Sequence, residues 1–157
     1  MPTRIFIHGL ESSNKGTKSV FFRERYPDMI IPHFTGDLQE RMKKLKELLE
    51  DETDMRLVGS SFGGLMACLF AAENETKIKK MILLAPAIHL IEFTSQKNKK
   101  VHVPVWIYHG KADEVIPLSD VKRVADETFS NLSFHAVDDD HFLHRTFQKI
   151  DWEHHLA

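Results

Sequence analysis

An open α/β domain, with a parallel sheet of about six strands and helices on both faces, is predicted by three features of this chain. Short unbroken aliphatic runs alternate with longer segments of helical periodicity along the whole length. The runs show little polar alternation, which suits strands covered on both faces. The residues with chemical potential fall just after the runs, at the carboxyl ends of the expected strands, where ligands of such sheets bind.

Thr3 to Ile7 is the first apolar run, ending at a His8-Gly9 turn. Asp28 to Ile31 reads as a second strand, closed by Pro32, which has no N–H to donate. Asp37 to Glu50 is a helix: Asp37 and Glu40 can form a capping box, and Leu38, Met42, Leu45, Leu48 and Leu49 make one apolar stripe. Met55 to Val58 is a third strand, followed by a helix from Ser61 to Ala72. Met81 to Leu84 and Val103 to Tyr108 are aliphatic strands. Ser119 to Phe129 is a helix with Val121, Val124, Ala125 and Phe129 inward. Leu132 to Val137 is the last strand, and a helix is expected near His144 to Ile150. Trp106 and Phe134 read as core residues, and His154-His155 as a solvated tail.

The 157 residues, 42% hydrophobic and 28% charged, suit a single domain over 1–157. A formal charge of −2 gives no electrostatic reason to expect nucleic acid or an anionic membrane as partner. The lysines at 43, 44 and 46 and at 97, 99 and 100 read as solvated faces. Cys68 is alone, so no internal disulfide forms, no cysteine-based zinc site is expected, and the thiol reads as core. Met1-Pro2-Thr3-Arg4 leads into a strand with no signal pattern, and no apolar run approaches the ~20 residues of a spanning helix. A cytoplasmic protein is the expectation.

The most informative stretch is Gly59-Ser60-Ser61-Phe62-Gly63, between a strand and a helix. A serine presented on a sharp strand-to-helix turn needs small residues two positions either side, and Gly59 and Gly63 supply them. Ser61 would stand at the helix N-terminus, where free N–H groups favour developing negative charge. Asp113 follows the fifth strand and His141 the sixth. A serine hydroxyl is a weak nucleophile, so a base must take its proton, and an imidazole suits that near neutral pH. A fixed carboxylate would hold one imidazole tautomer and stabilise its charged form. Glu114 is adjacent to Asp113, and Asp138, Asp139 or Asp140 could orient the histidine instead; those three are expected to form a polar turn. The oxyanion formed on the substrate needs donors, and the backbone N–H groups of Phe62 and Leu10 are the candidates.

The order Ser61, Asp113, His141 and the surrounding motifs resemble the α/β-hydrolase superfamily, and within it the small capless bacterial serine esterases. Their His-Gly-x-x-Ser-Ser start is matched by His8-Gly9-Leu10-Glu11-Ser12-Ser13. Their elbow is matched by Gly59 to Gly64, and a following Pro-Ala by Pro86-Ala87. The resemblance implies a three-layer α/β-hydrolase fold and cleavage of small carboxylic esters, or thioesters, through a Ser-His-Asp triad and an acyl-enzyme. It implies no cofactor and no metal. Full-length members carry two strands before the one ending in His-Gly, whereas this sequence starts at that strand. The segment near 86–101, where larger members insert a cap, is short; Ile88, Leu90, Ile91 and Phe93 in it are expected to line the acyl site.

Other readings remain. Ser61 could be a plain helix N-cap. Asp140, His141 and His144 have helical spacing for a metal, which the need for His141 in a serine mechanism disfavours. The glycines near Ser61 lack a following phosphate-loop lysine. The same triad could run amide, carbon–carbon or peracid chemistry, or the fold could persist as a catalytically silent interaction protein.

Overall fold

The aliphatic runs form five parallel strands in a computed structural model that describes residues 1–157. They are β1 (Thr3–Ile7), β2 (Met55–Ser60), β3 (Ile78–Leu84), β4 (Val105–Gly110) and β5 (Leu132–Val137), and their order in the sheet is their order in the chain. The helices are α1 (Thr17–Arg25), α2 (Leu38–Leu48), α3 (Phe62–Glu73), α4 (Leu118–Thr128) and α5 (Trp152–Leu156). No helix is long and apolar enough to cross a membrane.

The expected second strand is corrected to a single bridge. Only Ile30 pairs with β1, opposite Ile5, through Phe6 N–H to Ile30 O at 3.0 Å and Ile30 N–H to Arg4 O at 2.8 Å. Pro27 and Pro32 flank it closely, so two backbone donors are missing where a ladder would need them. The bridge still sets the winding. From β1 the chain runs outward to Ile30, then back across to β2. Crossovers of one hand in opposite directions put their helices on opposite faces. Hence α1 packs on one face, while α2, α3 and α4 pack on the other.

Alternate strand residues divide accordingly. Ile5, Ile7, Leu57, Leu83 and Ile107 join the larger core beneath α2, α3 and α4. Phe6, Val58, Ile82 and Leu84 join a smaller core with Phe22 of α1 and Trp152 and Leu156 of α5. Helix α3 is buried from Gly63 to Ala71, as its lack of any polar stripe requires. Helix α2 is capped by Asp37, whose side chain accepts the Glu40 N–H at 2.9 Å, so only the Asp37 half of the expected capping box forms.

Two further expectations are corrected. No helix spans residues 144–150; a short 3-10 turn at Phe147–Lys149 precedes α5. His154-His155 is not a solvated tail, because His155 is 3% exposed and Leu156 is sealed in the smaller core. Trp152 and Leu156, four apart behind Asp151, carried that signal in the sequence.

Candidate active site

The elbow begins where β2 ends. Ser61 takes φ 54° and ψ −116°, a strained backbone for a residue with a Cβ. Its surroundings over-determine that conformation. The Ser61 N–H donates to Leu84 O, and its carbonyl accepts from Gly64 and Ala87 N–H, each at 2.9 Å. A Cβ on Gly59 would stand 2.5 Å from Gly63 O, and one on Gly63 would stand 2.7 Å from His8 O and strike Ile7 O. Both glycines are therefore steric requirements of the turn, and Gly63 also lets the end of β1 come close.

Three side chains distant in sequence meet here. Asp113 lies in the loop after β4 with its side chain fully buried. Its Oδ1 accepts the N–H groups of Val115 (2.9 Å) and Ile116 (2.8 Å), and its Oδ2 lies 2.8 Å from His141 Nδ1. With the proton on Nδ1 facing the carboxylate, Nε2 is left as acceptor for the Ser61 hydroxyl, 3.1 Å away. Glu114 and Asp138 take no part in this chain of bonds.

His109 and His8 support the loops around it. His109 Nε2–H donates to Ile116 O at 2.9 Å, with Asp113 Oδ2 at 3.2 Å, so it braces the carboxylate loop from beneath. Burial holds its basicity below the ordinary histidine value. His8 Nε2 accepts the Phe34 N–H at 2.9 Å while Nδ1–H donates to Gly9 O at 2.7 Å. Burial lowers its basicity too, and protonating Nε2 would break the bond to Phe34.

The loop bearing His141 is organised by carboxylates. Asp139 accepts from the N–H groups of Asp140 (2.8 Å), Arg145 (2.9 Å) and Thr146 (2.7 Å). Burial alone would raise the Asp139 carboxyl, but bonds from Thr146, Asp140 and Arg145 outweigh it and hold it below the ordinary range. Asp140 accepts the Phe142 N–H at 3.0 Å and pairs with His144 Nδ1 at 2.6 Å. The expected polar turn is thus a turn with one buried carboxylate at its centre. Asp140 and His144 pair with each other while His141 faces Ser61 and Asp113, so the three do not converge on a metal. From α1, Lys18 Nζ donates to Phe142 O at 2.9 Å, beside His141. Neither the role of Asp139 nor that of Lys18 was legible in sequence, since both depend on the fold of loops far apart in the chain.

Ser61 and His141 open into a cleft of about 660 Å³. Leu10 and Phe62 border it, and neither of their N–H groups meets a protein acceptor. The lining differs from the expectation. Of the four residues expected there, Leu90 lines the cleft. Ile88 and Ile91 are 0% and 5% exposed and belong to the core under α3 and α4. Phe93 is 78% exposed and borders a separate hollow with Arg123 and Glu127. The cause is a 3-10 turn at Ile88–Phe93, whose threefold winding buries 88 and 91 together. Val115, Ile116, Phe142 and Ala87 supply the apolar wall instead. Polar groups on the wall include Glu11, Ser12, Thr17, Lys18 and His89. Burial lowers the Lys18 ammonium, partly offset by Asp140 and Asp139.

Comparisons with known proteins agree with this architecture. A family model described as serine aminopeptidase, S33, matches residues 30–92, which include the elbow. No curated protein matches the sequence. Among solved structures, an α/β-superfamily protein from Xanthomonas campestris pv. campestris superposes with TM-score 0.71 at 25% identity, over 94% of this chain and 91% of that one. Est1E from Butyrivibrio proteoclasticus, with ferulic acid bound, gives TM-score 0.77 at 18% identity over 96% and 85%. An esterase from Pyrococcus furiosus gives 0.71 at 15% identity over 98% and 78%. With its parallel sheet, its strained serine between β2 and α3 and these neighbours, the chain carries the α/β-hydrolase fold in a small, five-stranded form.

Proposed function

We propose that the protein is a serine hydrolase that cleaves small carboxylic esters through Ser61, His141 and Asp113. The observation that carries this reading is the unbroken chain Ser61 Oγ, His141 Nε2, His141 Nδ1, Asp113 Oδ2, at 3.1 and 2.8 Å, opening into a cleft. A serine that merely capped α3 would bond the helix N–H groups with its hydroxyl; Ser61 makes no such cap bond.

In this reading the Ser61 oxygen attacks the acyl carbon as its proton passes to His141 Nε2. The carbonyl oxygen becomes an oxyanion received by the Phe62 and Leu10 N–H groups, neither of which is bonded to a protein acceptor. The intermediate collapses and the C–O bond to the alcohol breaks. His141 returns the proton to the leaving alkoxide, leaving an acyl-serine. Water then attacks the acyl carbon, giving its proton to His141; the bond from the acyl carbon to Ser61 Oγ breaks, His141 returns the proton to Oγ, and the acid departs. Asp113 stays a carboxylate throughout and stabilises the imidazolium at each transfer.

No larger cap covers the cleft, and an open apolar wall suits short acyl groups. The esterase among the structural neighbours is consistent with this substrate class. Fluorophosphonate labelling and hydrolysis of p-nitrophenyl acetate test the reading. Wild-type protein is expected to label and turn over, whereas Ser61→Ala should lose labelling and at least ~10³-fold in turnover. Activity retained by that variant would remove Ser61 from the mechanism.

A further inference from the structure

His89 sits in the cleft that Ser61 opens into, on the 3-10 turn Ile88–Phe93. Its neighbour Ile88 and nearby Ile91 are locked into the larger core, so the backbone carrying it cannot swing away. Four histidines line this cleft: His8, His89, His141 and His144. His8 bonds Gly9 and Phe34, His141 bonds Ser61 and Asp113, and His144 bonds Asp140. His89 bonds nothing in the protein, and its Nδ1 is buried without a partner.

Buried polar atoms without partners are uncommon, and each calls for a reason. In the neutral ring one nitrogen carries the proton and the other a lone pair. With the lone pair on the sealed Nδ1, no N–H is left orphaned there. The proton then sits on Nε2, the nitrogen not sealed from solvent. His89 thus offers the cleft an N–H donor that no protein group uses, on a rigid mount, in a cleft whose wall also includes Ala87, Leu90 and Ile116. Such a donor rewards a ligand that brings an acceptor and is wasted on one that does not.

Resting on the serine-hydrolase reading above, we propose that His89 selects the substrate. Its Nε2–H donates to an acceptor oxygen carried by the ester beyond the scissile group, a hydroxyl, keto or ether oxygen. The preferred substrates are therefore oxygenated esters rather than plain alkyl ones.

The test uses the full chain, wild type beside His89→Leu and His89→Gln, on two matched pairs. p-Nitrophenyl butyrate against p-nitrophenyl 3-hydroxybutyrate places the extra oxygen on the acyl side. Propyl butyrate against 2-hydroxyethyl butyrate places it on the alcohol side. His89→Leu should raise KM for the oxygenated member of one pair by about two- to twelvefold, the worth of one neutral hydrogen bond. The plain esters, which bring no acceptor to His89, should show no such rise in KM. His89→Gln, which keeps an N–H, should restore most of the loss, and the affected pair identifies the side. Fluorophosphonate labelling and the unfolding midpoint, measured on both variants, establish that the site is intact. A labelled, active protein in which His89→Leu leaves the KM ratio of plain to oxygenated esters in both pairs as it is in wild type would overturn this inference alone. Wild-type protein that neither labels nor hydrolyses any of the four esters would overturn the hydrolase reading and this inference with it.

Discussion

Asp113 is fully enclosed, and its two oxygens play separate roles. Oδ1 accepts the N–H groups of Val115 and Ile116, while Oδ2 meets His141. An asparagine could keep the first role with its carbonyl oxygen. Its amide would then point N–H groups at His141 Nδ1, forcing the ring proton onto Nε2 and removing the acceptor that Ser61 needs. Asp113→Asn should therefore fold with a melting temperature close to wild type yet lose about 10²- to 10⁴-fold in kcat at neutral pH. Steady-state hydrolysis beside thermal unfolding separates the two effects. A variant with near-normal kcat would mean that the carboxylate only shapes the loop. The strain at Ser61 belongs to the same scale, since a left-handed serine persists only where neighbours hold it. Gly59, Gly63 and the bonds to Leu84, Gly64 and Ala87 hold it here.

At the scale of elements, the least regular segment matters most to the site. Residues 138–146 contain no strand or α-helix, and Leu143 takes φ 54° with its side chain sealed in the smaller core. Asp139 gathers three N–H groups of this segment and so fixes where His141 stands. Asp139→Ala leaves those partly buried donors without their acceptor, and should lower stability by about 1–2 kcal/mol. It should also cut kcat at least about fivefold, because a mobile His141 is seldom within reach of Ser61. Urea unfolding and steady-state kinetics check both; a stability loss with unchanged kcat would mean Ser61 and Asp113 alone hold the histidine. This contrast explains what the sequence could convey. Helices α2 and α3 were legible because their apolar patterns are strong, and the elbow because its glycines are sterically required. Helix α1 was not, since only Ser19 and Phe22 of its nine residues are buried and no side chain caps it. The cleft wall was misjudged because the apolar run 88–93 does not itself show which of its residues a 3-10 turn buries and which it turns outward.

At the scale of the molecule, the last residues close the face that α1 leaves uncovered. One side chain from each of four strands reaches them. Arg4 Nε donates to Leu156 O at 2.6 Å, Arg56 Nε to Ala157 O at 2.8 Å and Lys80 Nζ to His154 O at 3.1 Å. The Tyr108 hydroxyl and His155 Nε2 share a bond of 2.9 Å. Burial, with help from Lys80 and His154, pushes the His155 imidazole down to about 4 from an ordinary 6.5. The folded state therefore binds fewer protons than the unfolded chain between those two values. Its stability from this group is complete above pH 6.5, declines as pH falls toward 4, and changes no further below that. The loss is on the order of 3 kcal/mol for His155. His8 and His109 are shifted the same way by burial and add to the slope. The carboxylates Asp139 and Asp140, held below their ordinary value, contribute only at lower pH. His155→Phe keeps the packing against Trp152 and Trp106 but cannot take a proton. At pH 7.5 it should be less stable than wild type by about 1 kcal/mol, because Tyr108 loses a partner. As pH falls to 4 the wild type should lose more than the variant does, so the gap closes and then reverses. Urea unfolding of both proteins from pH 7.5 to 4 measures it, and parallel stability curves would show that the C-terminal clamp is not what acid opens.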